Sequence, residues 1–134
     1  MTARVIVEQP SENPATEGIR RASNGLFYVT ANVGSGEARF IVDTGASHVI
    51  LSHSDARKSI TRSNRKKTQD LITAGGAIAV DWVVLDTLVI EGQMLRNVEA
   101  AIPQRDVGVS LLGQSALAQF SNVWIKGDQL TLSK

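Results

Sequence analysis

From Leu26 to the C-terminus the sequence is a succession of short apolar runs punctuated by turn residues, and this punctuation limits the chain to a β-rich fold. "LFYVTANV" ends at "GSGE", "ARFIVDTG" follows, and then "HVILS". Further on, "DLITAGGAIAVDWVVLDTLVI", the turn "EGQ" and "MLRNVEAAI" fit two or three more strands. Within them Ile78, Val80, Trp82 and Val84 alternate with Ala79, Asp81 and Val83, the period of two that a strand needs. Only "SDARKS" and "GQSALAQF" read as helical, the second placing Leu117 and Phe120 one turn apart. "NVWIKGDQLTLSK" reads as a hairpin around Lys-Gly-Asp. It leaves an apolar strand at the chain end without an obvious partner, so an exposed edge and a subunit seam are expected there.

At 134 residues the chain suits one domain, with residues 1–24, which carry Pro10, Pro14 and many polar side chains, as an extended lead-in or linker and residues 25–134 as the folded unit. Composition removes several classes. With no cysteine there is no disulfide, thiol nucleophile or zinc-thiolate site, and no apolar run approaches the roughly 18 residues of a membrane span. Six of the 14 Lys and Arg residues fall within residues 57–67, "RKSITRSNRKK". No aromatic residue is interleaved there and the formal net charge is +1, so the stretch reads as a solvated loop and no nucleic-acid partner is expected. His48 and His53 are off the spacing that puts two ligands on one helix face, so no metal is expected. "GQSAL" and "GASHV" lack the second glycine of a nucleophile elbow.

The stretch "RFIVDTGASHVILS" sets Asp43 between two runs that read as buried strand. Asp is disfavoured inside strands, and burying a carboxylate without partners costs several kcal/mol. A plain turn explains the triplet alone, with Asp43 bonding to nearby backbone N–H groups and Gly45 turning the chain. Its flanks, Phe40-Ile41-Val42 and Val49-Ile50-Leu51, are those of a core, and Leu111-Leu112-Gly113 leads directly into the second helical segment.

Together, Ile41-Val42-Asp43-Thr44-Gly45-Ala46 and Leu111-Leu112-Gly113 resemble the retropepsin-like aspartic proteases, over roughly residues 25–134. The resemblance implies an all-β, closed barrel-like domain with one short C-terminal helix, acting as a homodimer. It implies Asp43 as the catalytic residue, Thr44, Gly45 and Ala46 as its supporting loop, and Leu111, Leu112 and Gly113 as the brace. Thr73, Ala74, Gly75 and Gly76 would form the flap over a peptide or protein substrate, with no cofactor. Such chemistry needs two carboxylates sharing a proton. No other Asp here is followed by Thr-Gly or Ser-Gly, the nearest being "DTL" at Asp86, so one chain holds half a site and a twofold dimer completes it. The similar bacterial single-domain members are periplasmic and commonly follow a membrane anchor, which implies such a setting here; a cytoplasmic one is equally compatible with the sequence. The competing reading is a dimeric, non-catalytic peptide-binding module on the same fold.

Overall fold

The structure, a computed structural model, describes residues 4–7, 18–59 and 65–134. In chain order its elements are β1 (Arg4–Val7), β2 (Ile19–Arg20), β3 (Tyr28–Val33), β4 (Gly36–Val42), β5 (Val49–Ile50), α1 (His53–Ser59), β6 (Arg65–Thr73), β7 (Gly76–Ile90), β8 (Gln93–Pro103), β9 (Ser110–Leu112), α2 (Gln114–Leu117), β10 (Asn122–Lys126) and β11 (Gln129–Ser133). Two-residue turns join β3 to β4, β6 to β7, β7 to β8 and β10 to β11. In the β7–β8 turn both Glu91 and Gly92 have positive φ, 52° and 73°, the left-handed pair whose twist matches that of the flanking strands.

Six strands close into a ring in the order β3-β4-β9-β5-β8-β7. Closure comes from β3, which pairs with β4 on one side and, through Ala31, Asn32 and Val33, with β7 on the other. The β4–β9 and β5–β8 pairs are parallel. β6 lies outside the ring, paired with the first half of β7 as a projecting hairpin. The barrel expected from the resemblance is present, and "SDARKS", read as helical, lies in α1, a second short helix where the resemblance implied one.

Inside the ring, alternate residues Val29, Ala31 and Val33 of β3 and Ala38 and Phe40 of β4 are buried. They meet Leu88, Leu95, Leu117 and Phe120 in one core cluster. Phe40 and Phe120 are among its largest fully buried side chains, and truncating either to Ala would cost about 3–5 kcal/mol. The alternation read in β7 is present, and both faces are used. Ile78, Val80 and Trp82 join Ile50, Leu71, Ala101 and Leu111 in a smaller cluster, while Val83 and Leu85 face the main core. After exposed Asp86 the inward phase changes, since Leu88 and Ile90 are buried; Asn97 on the neighbouring strand has φ 53°.

One expectation is overturned. The C-terminal hairpin has no free apolar edge, because β10 is flanked by β1 and β11, and β11 by β10 and β2. Parallel pairing of residues 4–7 with β10, and of Ile19 and Arg20 with β11, brings part of the lead-in into a four-stranded sheet. Beyond β2, Gln93 takes over the exposed side of β11: its Nε2 donates to the Leu132 carbonyl at 2.8 Å, and its Oε1 accepts from the Lys134 N–H at 3.0 Å. The polar lead-in sequence gave no periodic signal that two of its short pieces would cap a sheet.

Candidate active site

Strand β4 delivers Asp43 to the end of the barrel. Its N–H donates to the Leu112 carbonyl at 3.1 Å, extending the parallel β4–β9 pairing by one residue. The chain then turns on Asp43 itself: the Gly45 N–H donates to Asp43 Oδ1 at 3.0 Å and the Ala46 N–H to the Asp43 carbonyl at 3.2 Å. A carboxylate here offsets its partial desolvation with a fixed backbone donor, and its orientation is set by that bond. Thr44 and Gly45 are exposed, and among the described residues the Thr44 hydroxyl makes no hydrogen bond.

Under this turn passes Gly113. A side chain at that position would run into the carbonyl oxygens of His48 and Ala46, so only glycine permits so close an approach. The approach lets the first N–H groups of α2 find partners: Gln114 N–H donates to the Ala46 carbonyl at 2.8 Å and Ser115 N–H to the Ser47 carbonyl at 3.0 Å. The Gln114 side chain reaches the Thr44 carbonyl through Nε2 at 2.9 Å. Ser115 Oγ accepts the Val49 N–H at 2.9 Å and donates to the Glu99 carbonyl at 2.6 Å, tying β5 to β8. The Asp43 loop is thus held from below through its own Thr44, Ala46 and Ser47 carbonyls, which accept from the Gln114 side chain and from the N–H groups of Gln114 and Ser115.

Above the loop lies a cleft of about 430 Å³. Asp43, Gly45 and Ala46 form its floor, and the β6–β7 hairpin contributes Ile72, Thr73, Ala74 and Ile78 to its wall. Val107 and Val109, from the loop between β8 and β9, line it too. Ile72 is 76% exposed, and Val107 and Val109 are 49% and 45% exposed, so the cleft mouth presents apolar surface to solvent. Asp106 shapes that loop: its Oδ1 accepts N–H groups of Gly108 and His53, both at 3.1 Å, and these bonds hold its carboxyl below the ordinary carboxylate range. At the cleft wall His48 stands edge-on to Trp82, with ring centroids 4.8 Å apart, and its Nε2 lies 3.0 Å from Glu99 Oε1.

Most of the residues singled out in the sequence converge here. Asp43, Gly45, Ala46, Thr73, Ala74 and Leu111 share the cleft lining. Leu112 is fully buried in the core, while Gly75 and Gly76 stand at the exposed hairpin tip, where Thr73 Oγ1 donates to the Gly76 carbonyl at 2.7 Å. Sequence reasoning missed Gln114, Ser115, Val107 and Val109. Nothing local marks them, because their roles come from contacts with chain as much as 70 residues away, as in the Gln114–Thr44 bond. His48 lines the cleft, and His53 places Nε2 2.6 Å from the Pro103 carbonyl oxygen.

Residues 29–119 match the model of the family described as "gag-polyprotein putative aspartyl protease". The chain belongs to this family. Its fold is retropepsin-like: a crystal structure of a retropepsin-like aspartic protease from Rickettsia conorii aligns with a TM-score of 0.70 and 34% identity, covering 84% of this chain and 93% of that one. Two uncharacterized proteins are also similar. RP867 of Rickettsia prowazekii is 34% identical over 116 residues, 86% of this chain and 50% of that protein. The protein in the cobV 5' region of a Sinorhizobium species is 29% identical over 131 residues, 96% of this chain and 56% of that protein. This aspartyl protease-family chain therefore spans about half the length of these curated relatives.

Replacing Gly113 with Ala tests the brace. The added methyl must displace backbone carbonyls, so stability should fall by about 3 kcal/mol, the upper end for overpacking. Urea denaturation measures this, and an unchanged midpoint would mean that the Asp43 loop is not held from below.

Proposed function

We propose that this chain is an aspartic endopeptidase whose site forms between two copies, each supplying one Asp43 carboxylate. The observation that carries the reading is the placement of Asp43 on the floor of the cleft, oriented by the Gly45 N–H, with the β6–β7 hairpin contributing to the wall. Family membership and the retropepsin-like fold support it. The catalytic unit is residues 25–134.

In the proposed mechanism the two carboxylates share one proton. The ionised one takes a proton from water as it attacks the scissile carbonyl, and the protonated one donates to the carbonyl oxygen. Asp43 Oδ1 keeps its Gly45 N–H partner, which leaves Oδ2 to face water and the partner's acid. The Thr44 hydroxyl, without a hydrogen-bond partner among the described residues, would bond across the dimer below the acids. Thr73 and Ala74 would lie along the backbone of an extended peptide, the hairpin moving to admit it.

Asp43→Asn should abolish cleavage across a peptide library while leaving the thermal transition in place, because an amide fills the same volume but cannot act as base. Activity of the unaltered chain should rise and then fall with pH on the acid side of neutrality. Removing the shared proton leaves two repelling charges, and adding a second removes the base. Turnover of Asp43→Asn within tenfold of the unaltered chain, or a rate climbing steadily into alkaline pH, would reject the proposal. Peptide binding without cleavage at any pH would favour a non-catalytic binding module.

Thr44→Val keeps the shape and removes the hydroxyl, so the dimer should weaken by about 1–3 kcal/mol as the bond's partner is left unpaired. Sedimentation across a dilution series measures this. An unchanged association constant would reject the bridging role.

A further inference from the structure

Pro103, the last residue of β8, separates the Asp43 cleft from a second pocket and lines both. This pocket, about 270 Å³, has an apolar base of buried Ala56 and Ile102, and its polar rim is formed by His53, Arg57, Asp81 and Gln104. Most of the rim is already engaged. Asp81 Oδ1 accepts hydrogen bonds from Thr68 Oγ1 at 2.7 Å and Gln104 Nε2 at 2.6 Å. His53 Nε2 meets the Pro103 carbonyl, and Asp106, in the loop that follows β8, accepts the N–H groups of His53 and Gly108 and interacts electrostatically with Arg57 without a direct ion pair. Lys58 pairs with Asp55 at 3.3 Å. Arg57 is the exception: it is exposed, and among the described residues it makes no hydrogen bond or ion pair.

A guanidinium whose N–H donors have no hydrogen-bond partner among the described residues, set beside an apolar base, is suited to a carboxylate, whose two oxygens match its planar donors.

We propose that the pocket is an outlying subsite for an acidic side chain, Glu or Asp, of the same peptide that occupies the Asp43 cleft. An extended peptide leaving the cleft past Pro103 would carry that side chain to Arg57. The subsite rests on the peptide-cleaving reading for its occupant, and it adds selectivity away from the scissile bond.

The test is made by binding, so that it does not depend on turnover. The Asp43→Asn chain is titrated with fluorescent, end-capped peptides that share one apolar centre and carry a single Glu or Gln at successive positions outward on either side. At one position Glu should bind about tenfold tighter than Gln, a gain that shrinks with added salt. The gain should vanish in Asp43→Asn with Arg57→Gln and partly return with Arg57→Lys. No preference for Glu at any position, or a preference that survives Arg57→Gln, overturns the subsite. So does a gain produced only by an uncapped C-terminal carboxylate, which would assign the pocket to a chain terminus. Cleavage by the unaltered chain without any acidic preference would overturn the subsite and leave the protease reading standing; a subsite seen in binding with no cleavage would do the reverse.

Discussion

The close approach of Gly113 to the carbonyls of Ala46 and His48 is the contact on which the rest of the candidate site depends. It works because two needs are met by one geometry. The Asp43 loop has carbonyls pointing away from the cleft that require donors, and helix α2 begins with N–H groups that have no partner inside the helix. Bringing the glycine under the loop pairs Ala46 and Ser47 with the N–H groups of Gln114 and Ser115, and it leaves the Gly45 N–H free to hold Asp43 Oδ1. The carboxylate is thereby oriented by backbone on a closed barrel, a more rigid support than a free surface loop.

The barrel supplies the second requirement, a cleft. Because β3 pairs with both β4 and β7, the ring is complete without β6, and the β6–β7 hairpin is released to project beyond it. The small cluster of Ile50, Leu71, Val80 and Ala101 packs at the root of that hairpin, with Ile78 and Leu111 reaching from the cluster into the cleft. Packing there joins the hairpin to the strand that braces Asp43, so the wall and the floor of the cleft are parts of one hydrophobic unit.

How much of this could be read from the sequence follows from how local each cause is. Strands and their turns were legible because alternation and Gly-containing turns act over a few residues, as in "NVWIKGDQLTLSK". Asp43, Thr44 and Gly45 were legible because an acid between core strands is costly enough to need a reason. The engagement of both edges of the C-terminal hairpin was not, since β1 and β2 are four and two residues long and owe their state to partners more than 100 positions away. Gln114 and Ser115 were hidden for the same reason: a glutamine and a serine at the start of a short helix carry no pattern, and only the fold sets them against Thr44 and Glu99.

One chain presents one Asp-Thr-Gly acid, and the proposed mechanism needs two of them acting together. Mixing measures that directly. When unaltered chain and Asp43→Asn chain are combined at constant total concentration and allowed to exchange subunits, only pairs with two intact acids should cleave, so activity should follow the square of the intact fraction, about one quarter at an equal mixture. Activity falling in simple proportion, to about one half at that point, would show that each chain carries a complete site and would contradict the shared pair.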